Sequence, residues 1–375
     1  MPIRNTLERW GTIAKFFHWA IVLLVVTQFV LAFIAEGLPV GLQKLAVLAR
    51  HKSVGITILA LATLRLLWRA ANRTPEMPAT MANWEKAAAR GAHGLLYALL
   101  LAVPLAGWIM SSAKNFPVSW FGLFQLPDLV APSETTFDIA HDAHEILAFT
   151  LGAVATLHLL AALKHHFVNR DVVLKRMLPF TRVPVVLAAL LLMGPGAGEA
   201  LAAAPGAGAA TGSNASGSLQ FRFTQAGATT TGTFDKFTVS LTTAADGMPT
   251  RLAVVIDAAS LNTKDKDRDL ALRTADLFDV QKFPQASFEA TRFKHIANDR
   301  YEASGKLAIR DMAREVTLPF ALTAASGNGA PARVIAGELA INRLDYGVGQ
   351  GEWRSTEMVG NAVTVVWSVK LTPAP

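Results

Sequence analysis

Five apolar stretches approach the length needed to cross a bilayer, and they constrain the fold of this chain more than any other feature. A transmembrane helix needs about 20 mostly apolar residues, and the stretches run over 13–35, 47–70, 93–112, 141–165 and 183–204. The chain is 52% hydrophobic and only 17% charged, against roughly 25% charged in soluble domains. The sequence therefore predicts a membrane protein whose first four stretches form a helix bundle.

Basic residues flank these stretches unevenly, which predicts their orientation. Thirteen Lys and Arg lie in the N-terminal tail, the second connection and the segment after the fourth stretch, and four lie on the opposite side. Cytoplasmic loops are enriched in Lys and Arg, so we expect a cytoplasmic N-terminus. Residues 1–212 hold 17 Lys and Arg against 11 Asp and Glu, whereas residues 213–375 hold 18 against 17. The excess follows the membrane segments, so nucleic acid is not an expected partner.

The fifth stretch has the layout of an internal signal peptide. Lys175, Arg176 and Arg182 precede its apolar core, and small residues follow it into a Gly/Ala/Ser-rich linker at 205–217. Whether it is cleaved or remains as a span, we expect it to place the rest of the chain outside the cytoplasm.

The remaining sequence changes to short alternating runs typical of an antiparallel β-barrel or sandwich. Eight such runs are present between residues 219 and 372, and helical spacing interrupts them at 265–280. The chain therefore divides into a helical region 1–180, a signal-like segment and linker 181–217, and an all-β region 218–375.

Histidines are the candidate ligands, because the chain has no cysteine and so no disulfide, thiolate-bound zinc or iron–sulfur cluster. His144 and His158 are 14 residues apart, which places them on one helical face within about 40° and about 21 Å apart. His18 matches the depth of His158, and His51 matches that of His144. Two axial imidazoles must face each other across a haem. Spacing therefore indicates two bis-histidine haem sites, His18/His158 and His51/His144, with hydrogen-bonded packing histidines as the open alternative.

Other polar residues of the helical region have a supporting role in this interpretation. Arg65 and Arg69 either contact haem propionates or extend to the cytoplasmic surface. Four further histidines are expected to lie at the membrane interface or to support the ligands: His93, His141, His165 and His166.

A set of short motifs spans the helical region: Phe17-His18-Trp19, the segment His51 to Gly55, Ala92-His93-Gly94 with Pro104 and Gly107, His144-Glu145, and His158 followed by His165-His166. With these motifs, residues 1–180 resemble the bacterial cytochrome b561 family. The resemblance implies an inner-membrane, multi-pass protein with two haem b groups, whose iron is held by His18, His51, His144 and His158. It also implies membrane quinone as the redox partner, and one relative suggests superoxide oxidation with electrons passed to ubiquinone.

Motifs also span the second half, notably 232–237, 259–263, 275–278 and Phe283-Pro284-Gln285-Ala286-Ser287-Phe288. They resemble the YceI-like family of periplasmic, lipocalin-like proteins, which implies an eight-stranded antiparallel barrel that binds a polyisoprenoid. Its candidate lining residues are equally well explained as ordinary core: Phe221, Phe223, Phe234, Phe237, Phe283, Phe288 and Trp353.

Together these features predict a multi-domain protein in which a di-haem cytochrome transfers electrons to or from quinone. Its tethered periplasmic barrel is expected to bind a polyisoprenoid, the quinone tail included. An oxidoreductase or electron carrier of this kind needs no catalytic side chain beyond the haem ligands. Two alternatives stay open: a superoxide oxidase, and a lipid carrier whose bundle is only an anchor. Superoxide and a partner protein are candidate electron donors, and the direction of electron flow stays open.

Overall fold

The structure, a computed structural model, describes residues 3–78, 80–178, 215–244, 246–324 and 333–371. The predicted fifth stretch, 183–204, lies outside the described residues. Contacts divide the chain into two compact units, a helical one and a β-rich one, and each is described by itself.

Four helices long and apolar enough to cross a membrane, within the described part of the chain, make up most of the helical unit. They are α1 (Thr12–Gly37), α2 (Leu42–Ala71), α3 (Asn83–Ala113) and α4 (Glu134–Phe167), and a short α5 (Val173–Met177) follows. The four predicted spans are therefore confirmed as helices, each extending beyond its apolar stretch.

Apolar side chains between the helices form the core of the bundle. Its buried members are Ile21, Val54, Ile58, Ala62, Leu99, Leu100 and Leu151. The start of α4 is fixed by Ser133, whose Oγ accepts a hydrogen bond from the Thr136 backbone N–H at 3.3 Å. Such a cap satisfies one of the donors left free in the first turn, and it sets the register of the histidines further along α4.

The β-rich unit contains a two-stranded ribbon and one large antiparallel sheet. The ribbon is formed by β1 (Ser119–Trp120) and β2 (Phe124–Gln125). The strands of the large sheet are β3 (Ala215–Gln225), β4 (Ala228–Phe234), β5 (Phe237–Thr243), β6 (Pro249–Asp257), β7 (Leu261–Asn262), β8 (Gln285–Ala297), β9 (Arg300–Ile309), β10 (Met312–Ala324), β11 (Arg333–Asn342) and β12 (Val359–Leu371). Their order across the sheet is β5-β6-β8-β9-β10-β11-β12-β3-β4-β7.

This sheet curls back on itself, as its connectivity requires. β5 lies at one end of the strand order and β4 near the other, yet only Asp235 and Lys236 separate them in the chain. Because consecutive Cα atoms are about 3.8 Å apart, the two ends of the sheet must meet there. The Asp257 backbone N–H donates to the Lys236 carbonyl at 3.0 Å, which continues the β5–β6 pairing up to this junction. The predicted lipocalin-like antiparallel fold is thus confirmed.

The sheet has ten strands in the described residues, whereas the sequence predicts eight. The predicted run at 229–242 is in fact two strands that bend at Asp235. The carboxylate of Asp235 accepts hydrogen bonds from Thr233 Oγ1 at 2.8 Å and from Asn262 Nδ2 at 3.1 Å. Alternation of apolar residues continues across the bend, so the pattern alone does not show it. The two-residue β7 is the other addition.

The predicted helical interruption is confirmed as α6 (Lys266–Arg273). Asp265 caps it by accepting from the Arg268 backbone N–H at 2.7 Å. Ala271 and Leu272 of this helix pack against one of the two apolar clusters of the β-rich unit.

Candidate functional site

One histidine pair joins α2 to α4, and we call it the outer pair after its predicted side of the membrane. The ring centroids of His51 and His144 are 6.2 Å apart, with the rings inclined at 73°. His144 Nδ1 lies 2.9 Å from the Val103 carbonyl. A carbonyl can only accept, so Nδ1 carries the hydrogen and Nε2 keeps its lone pair for a ligand. His51 Nδ1 is buried with no hydrogen-bond partner in the described part of the chain.

The second pair, which we call the inner pair, joins α1 to α4. The ring centroids of His18 and His158 are 6.4 Å apart, with the rings nearly perpendicular at 87°. A third imidazole, that of His93 on α3, lies 5.2 Å from His158. The structure therefore brings together both predicted pairs and adds His93 beside one of them.

The separation within each pair fits a metal ion held between two imidazoles. A metal–nitrogen bond is about 2.0–2.1 Å, and a ring nitrogen lies about 1.1 Å from its centroid, so two imidazoles on opposite sides of one ion have centroids about 6.3 Å apart. The observed values, 6.2 and 6.4 Å, agree with this distance. The described residues contain no group of three or more His, Cys, Asp or Glu that could hold a metal by themselves. The donor set would therefore suit a metal carried by a cofactor that supplies further ligands of its own.

Gly107 of α3 has no side chain and so leaves space for the imidazole of His144, which lies on α4. A Cβ at this position would lie 2.9 Å from His144 Cε1 and 3.0 Å from its Nδ1. Gly107 comes one helical turn after Val103, so the accepting carbonyl and the gap lie on the same face of α3. Sequence reasoning noted Gly107 only as part of a motif, and its spacing from Val103 is the signal that it missed.

The other predicted histidines lie apart from the two pairs. His165 is buried, and its Nδ1 lies 2.5 Å from Asp171 Oδ2. His166 has a buried Nδ1 without a hydrogen-bond partner among the described residues. His141 is exposed, 3.4 Å from the Asp142 carboxylate.

Six of the seven predicted lining residues lie in or against the apolar clusters of the β-rich unit. One cluster is built around Leu252, Phe288 and Val369 and includes the adjacent Phe237. The second contains Phe221, Phe223 and Trp353, and Phe234 packs against both. Phe283 lies in neither cluster; its ring is covered by Lys282 at 5.1 Å and Arg310 at 5.5 Å. Its apolar face is thus covered by cations.

Four membrane-length helices with paired histidines, followed by a curled antiparallel sheet, define a membrane protein with a helical redox-type bundle and a lipocalin-like β-domain. Comparison with known proteins matches the helical part and the β-rich part to two different families. The family model described as prokaryotic cytochrome b561 matches residues 9–180, and that of the YceI-like domain matches residues 211–371.

Individual relatives cover each half. Cytochrome b561 homolog 2 of Escherichia coli (strain K12) is 35% identical over 181 residues, which are 48% of this chain and 95% of that protein. A probable superoxide oxidase CybB of Yersinia pestis is 30% identical over 168 residues, 44% of this chain and 93% of that protein. The crystal structure of Burkholderia cenocepacia BcnA is 28% identical, with a TM-score of 0.39, and covers 42% of this chain and 96% of that one.

The chain belongs to the cytochrome b561 family, with a YceI-like domain in its C-terminal half. Membership in this family implies electron transfer and a haem b cofactor.

Proposed function

We propose that this protein is a di-haem cytochrome that transfers electrons to or from membrane quinone. The observation that carries the proposal is the spacing of the two histidine pairs, 6.2 and 6.4 Å between ring centroids, at two levels of the same bundle. The haems would supply one-electron transfer between these levels, which the 14-residue spacing on α4 separates by about 21 Å.

The protein's part in this function is to orient the ligands and to exclude water around them. The Val103 carbonyl selects the His144 tautomer with a free Nε2, which is the usual role of a hydrogen bond behind a ligating histidine. All four candidate ligands are half-buried in a bundle whose core is apolar. Such surroundings limit solvent access and thereby influence the redox potential.

For the second half we propose a periplasmic barrel that binds a polyisoprenoid, with the domain boundaries and orientation predicted above. The ring of Phe221 supports it, because it lies 6.0 Å from the Phe223 ring and 5.1 Å from the Phe234 ring, centroid to centroid, and these rings form an apolar surface. An isoprenoid tail gains about 0.8 kcal/mol for each CH2 that such surfaces cover. A quinone consists of a redox head on an isoprenoid tail, which connects the ligand of this domain to the redox partner of the bundle.

Haem content tests the redox proposal directly. We expect two low-spin b-type haems per chain in the dithionite-reduced minus oxidised spectrum of the purified protein. His144→Ala and His158→Ala should each leave one haem, because each removes a ligand from a different pair. His141→Ala is the matched control, since His141 is exposed on the same helix, and it should keep both. Haem-free protein, or unchanged content in both ligand variants, would refute the proposal.

Superoxide oxidation is the second candidate, supported by the 30% identical relative named a probable superoxide oxidase. Arg50 and Lys52 provide positive charge near the outer pair, which would attract an anion. Rapid mixing of the oxidised protein with superoxide distinguishes the donors. Prompt haem reduction supports this candidate, whereas reduction by quinol alone supports the first.

A further inference from the structure

Arg65 lies on α2 at the level of the inner pair. It follows His51 by 14 residues, the separation that also relates His144 to His158 on α4. At about 100° and 1.5 Å per residue, Arg65 returns to within about 40° of the His51 face, about 21 Å further along the helix. At this level α1, α3 and α4 supply His18, His93 and His158, and α2 supplies an arginine.

In the part of the chain that the structure describes, no carboxylate is paired with Arg65. Its guanidinium carbon lies 5.3 Å from the centroid of the Tyr97 ring, and that of Arg69 lies 5.8 Å from the same ring. Among the described residues, Tyr97 also hydrogen-bonds to the Arg65 side chain, and neither Tyr97 nor Arg69 is a carboxylate. Arg65 is half-buried.

This arrangement is costly unless an anion joins it. A charged side chain in a membrane-spanning segment is expensive and normally pairs with an opposite charge, and two cations one helical turn apart repel each other. We propose that Arg65, supported by Arg69, binds a propionate carboxylate of the inner haem. The guanidinium is suited to this role because its N–H donors match a carboxylate in a bidentate pair.

The alternative is that Arg65 only extends its charge to the cytoplasmic headgroups. An arginine in that role would direct its guanidinium away from the neighbouring helices. The guanidinium of Arg65 instead lies against the Tyr97 ring of α3, and its side chain is half-buried, so the charge lies between two helices of the bundle. The proposal rests on the proposed function, because it requires a haem at the inner pair.

A redox titration of the full-length protein, followed at the haem α-band, tests this inference. Arg65→Met should lower the midpoint potential of one haem, because removing a positive charge favours the more positive, oxidised form. We expect at least a tenfold change in the equilibrium constant for reduction, which is about 59 mV for a one-electron couple. The other haem should keep its midpoint. Arg65→Lys should show a smaller shift, since the charge remains without the bidentate geometry.

Arg73→Met is the matched control, because Arg73 is exposed just beyond the end of α2, and it should change neither midpoint. Unchanged midpoints in Arg65→Met would overturn the inference, as would an equal shift in the Arg73 variant. If Arg65→Met loses one haem, retention of that haem by Arg65→Lys supports the role of charge, and loss in both variants contradicts it. Failure of the proposed function is distinct, because the wild-type protein would then have no haem to titrate.

Discussion

Replacing Gly107 by alanine should displace the imidazole of His144 and weaken the outer haem site. The new Cβ would lie 2.9 Å from His144 Cε1, whereas ordinary contact begins at 3.4 Å. The ring or α3 must therefore move by about 0.5 Å, which is more than the ±0.2 Å or so that metal–ligand distances tolerate. The ring cannot move freely, because its Nδ1 is held by the Val103 carbonyl at 2.9 Å.

Overpacking of this kind costs about 1–3 kcal/mol, which corresponds to a 5- to 150-fold or so loss of haem affinity at the outer pair. Gly94→Ala is the control on the same helix, because a Cβ there meets nothing within 4 Å. It should be neutral or slightly stabilising, since alanine favours a helix over glycine by about 1 kcal/mol. Haem per chain and the α-band spectrum measure both variants. Two haems with an unchanged spectrum in Gly107→Ala would refute the reasoning.

Two further predictions concern the β-rich unit. Partial burial raises the pKa of Asp235, but hydrogen bonds from Thr233 and Asn262 outweigh it, so its pKa lies below the ordinary value. Its stabilising contribution is thus complete above pH 4 or so and is lost as the pH falls through the lowered pKa. Compared with the wild-type protein, Asp235→Asn should show faster amide hydrogen exchange in β4 and β5 at pH 7, and the same exchange at very low pH, where the carboxyl is protonated. Equal exchange of variant and wild type at pH 7 would contradict this prediction. Phe288→Ala should lower the unfolding free energy, measured by chemical denaturation, by about 3–5 kcal/mol, because Phe288 is buried in the core. Phe283→Ala should lower it clearly less, because Phe283 is half-buried. Equal losses in the two variants would argue against the cluster assignment.

The helices were predictable because apolar length and charge asymmetry are properties of the sequence alone. Their ends were not, because α3 and α4 begin at Asn83 and Glu134, where polar residues continue the helix beyond the apolar stretch. Hydropathy does not detect such extensions, whereas the cap at Ser133 accounts for one of them.

The histidine pairs were predictable from depth and helical phase, since both follow from residue spacing. The contribution of α3 was harder to foresee, because neither the hydrogen bond from His144 to Val103 nor the gap at Gly107 follows from the spacing of histidines on other helices. In the sheet, the bend at Asp235 depends on a side chain from β7, Asn262, which local alternation does not reveal.

The pairing of β3 with β12 has a consequence for how this domain folds. The first strand of the large sheet lies beside the last one, so that Ala215 pairs with Leu371. Contacts between residues so distant in sequence form slowly, because a long loop must close, at a cost in entropy, before these contacts stabilise the sheet. Until β12 has been synthesised, β3 and β11 each leave an unpaired edge that can recruit another chain. The β-domain therefore depends on β12, and a product truncated before this strand would contain an incomplete, aggregation-prone sheet.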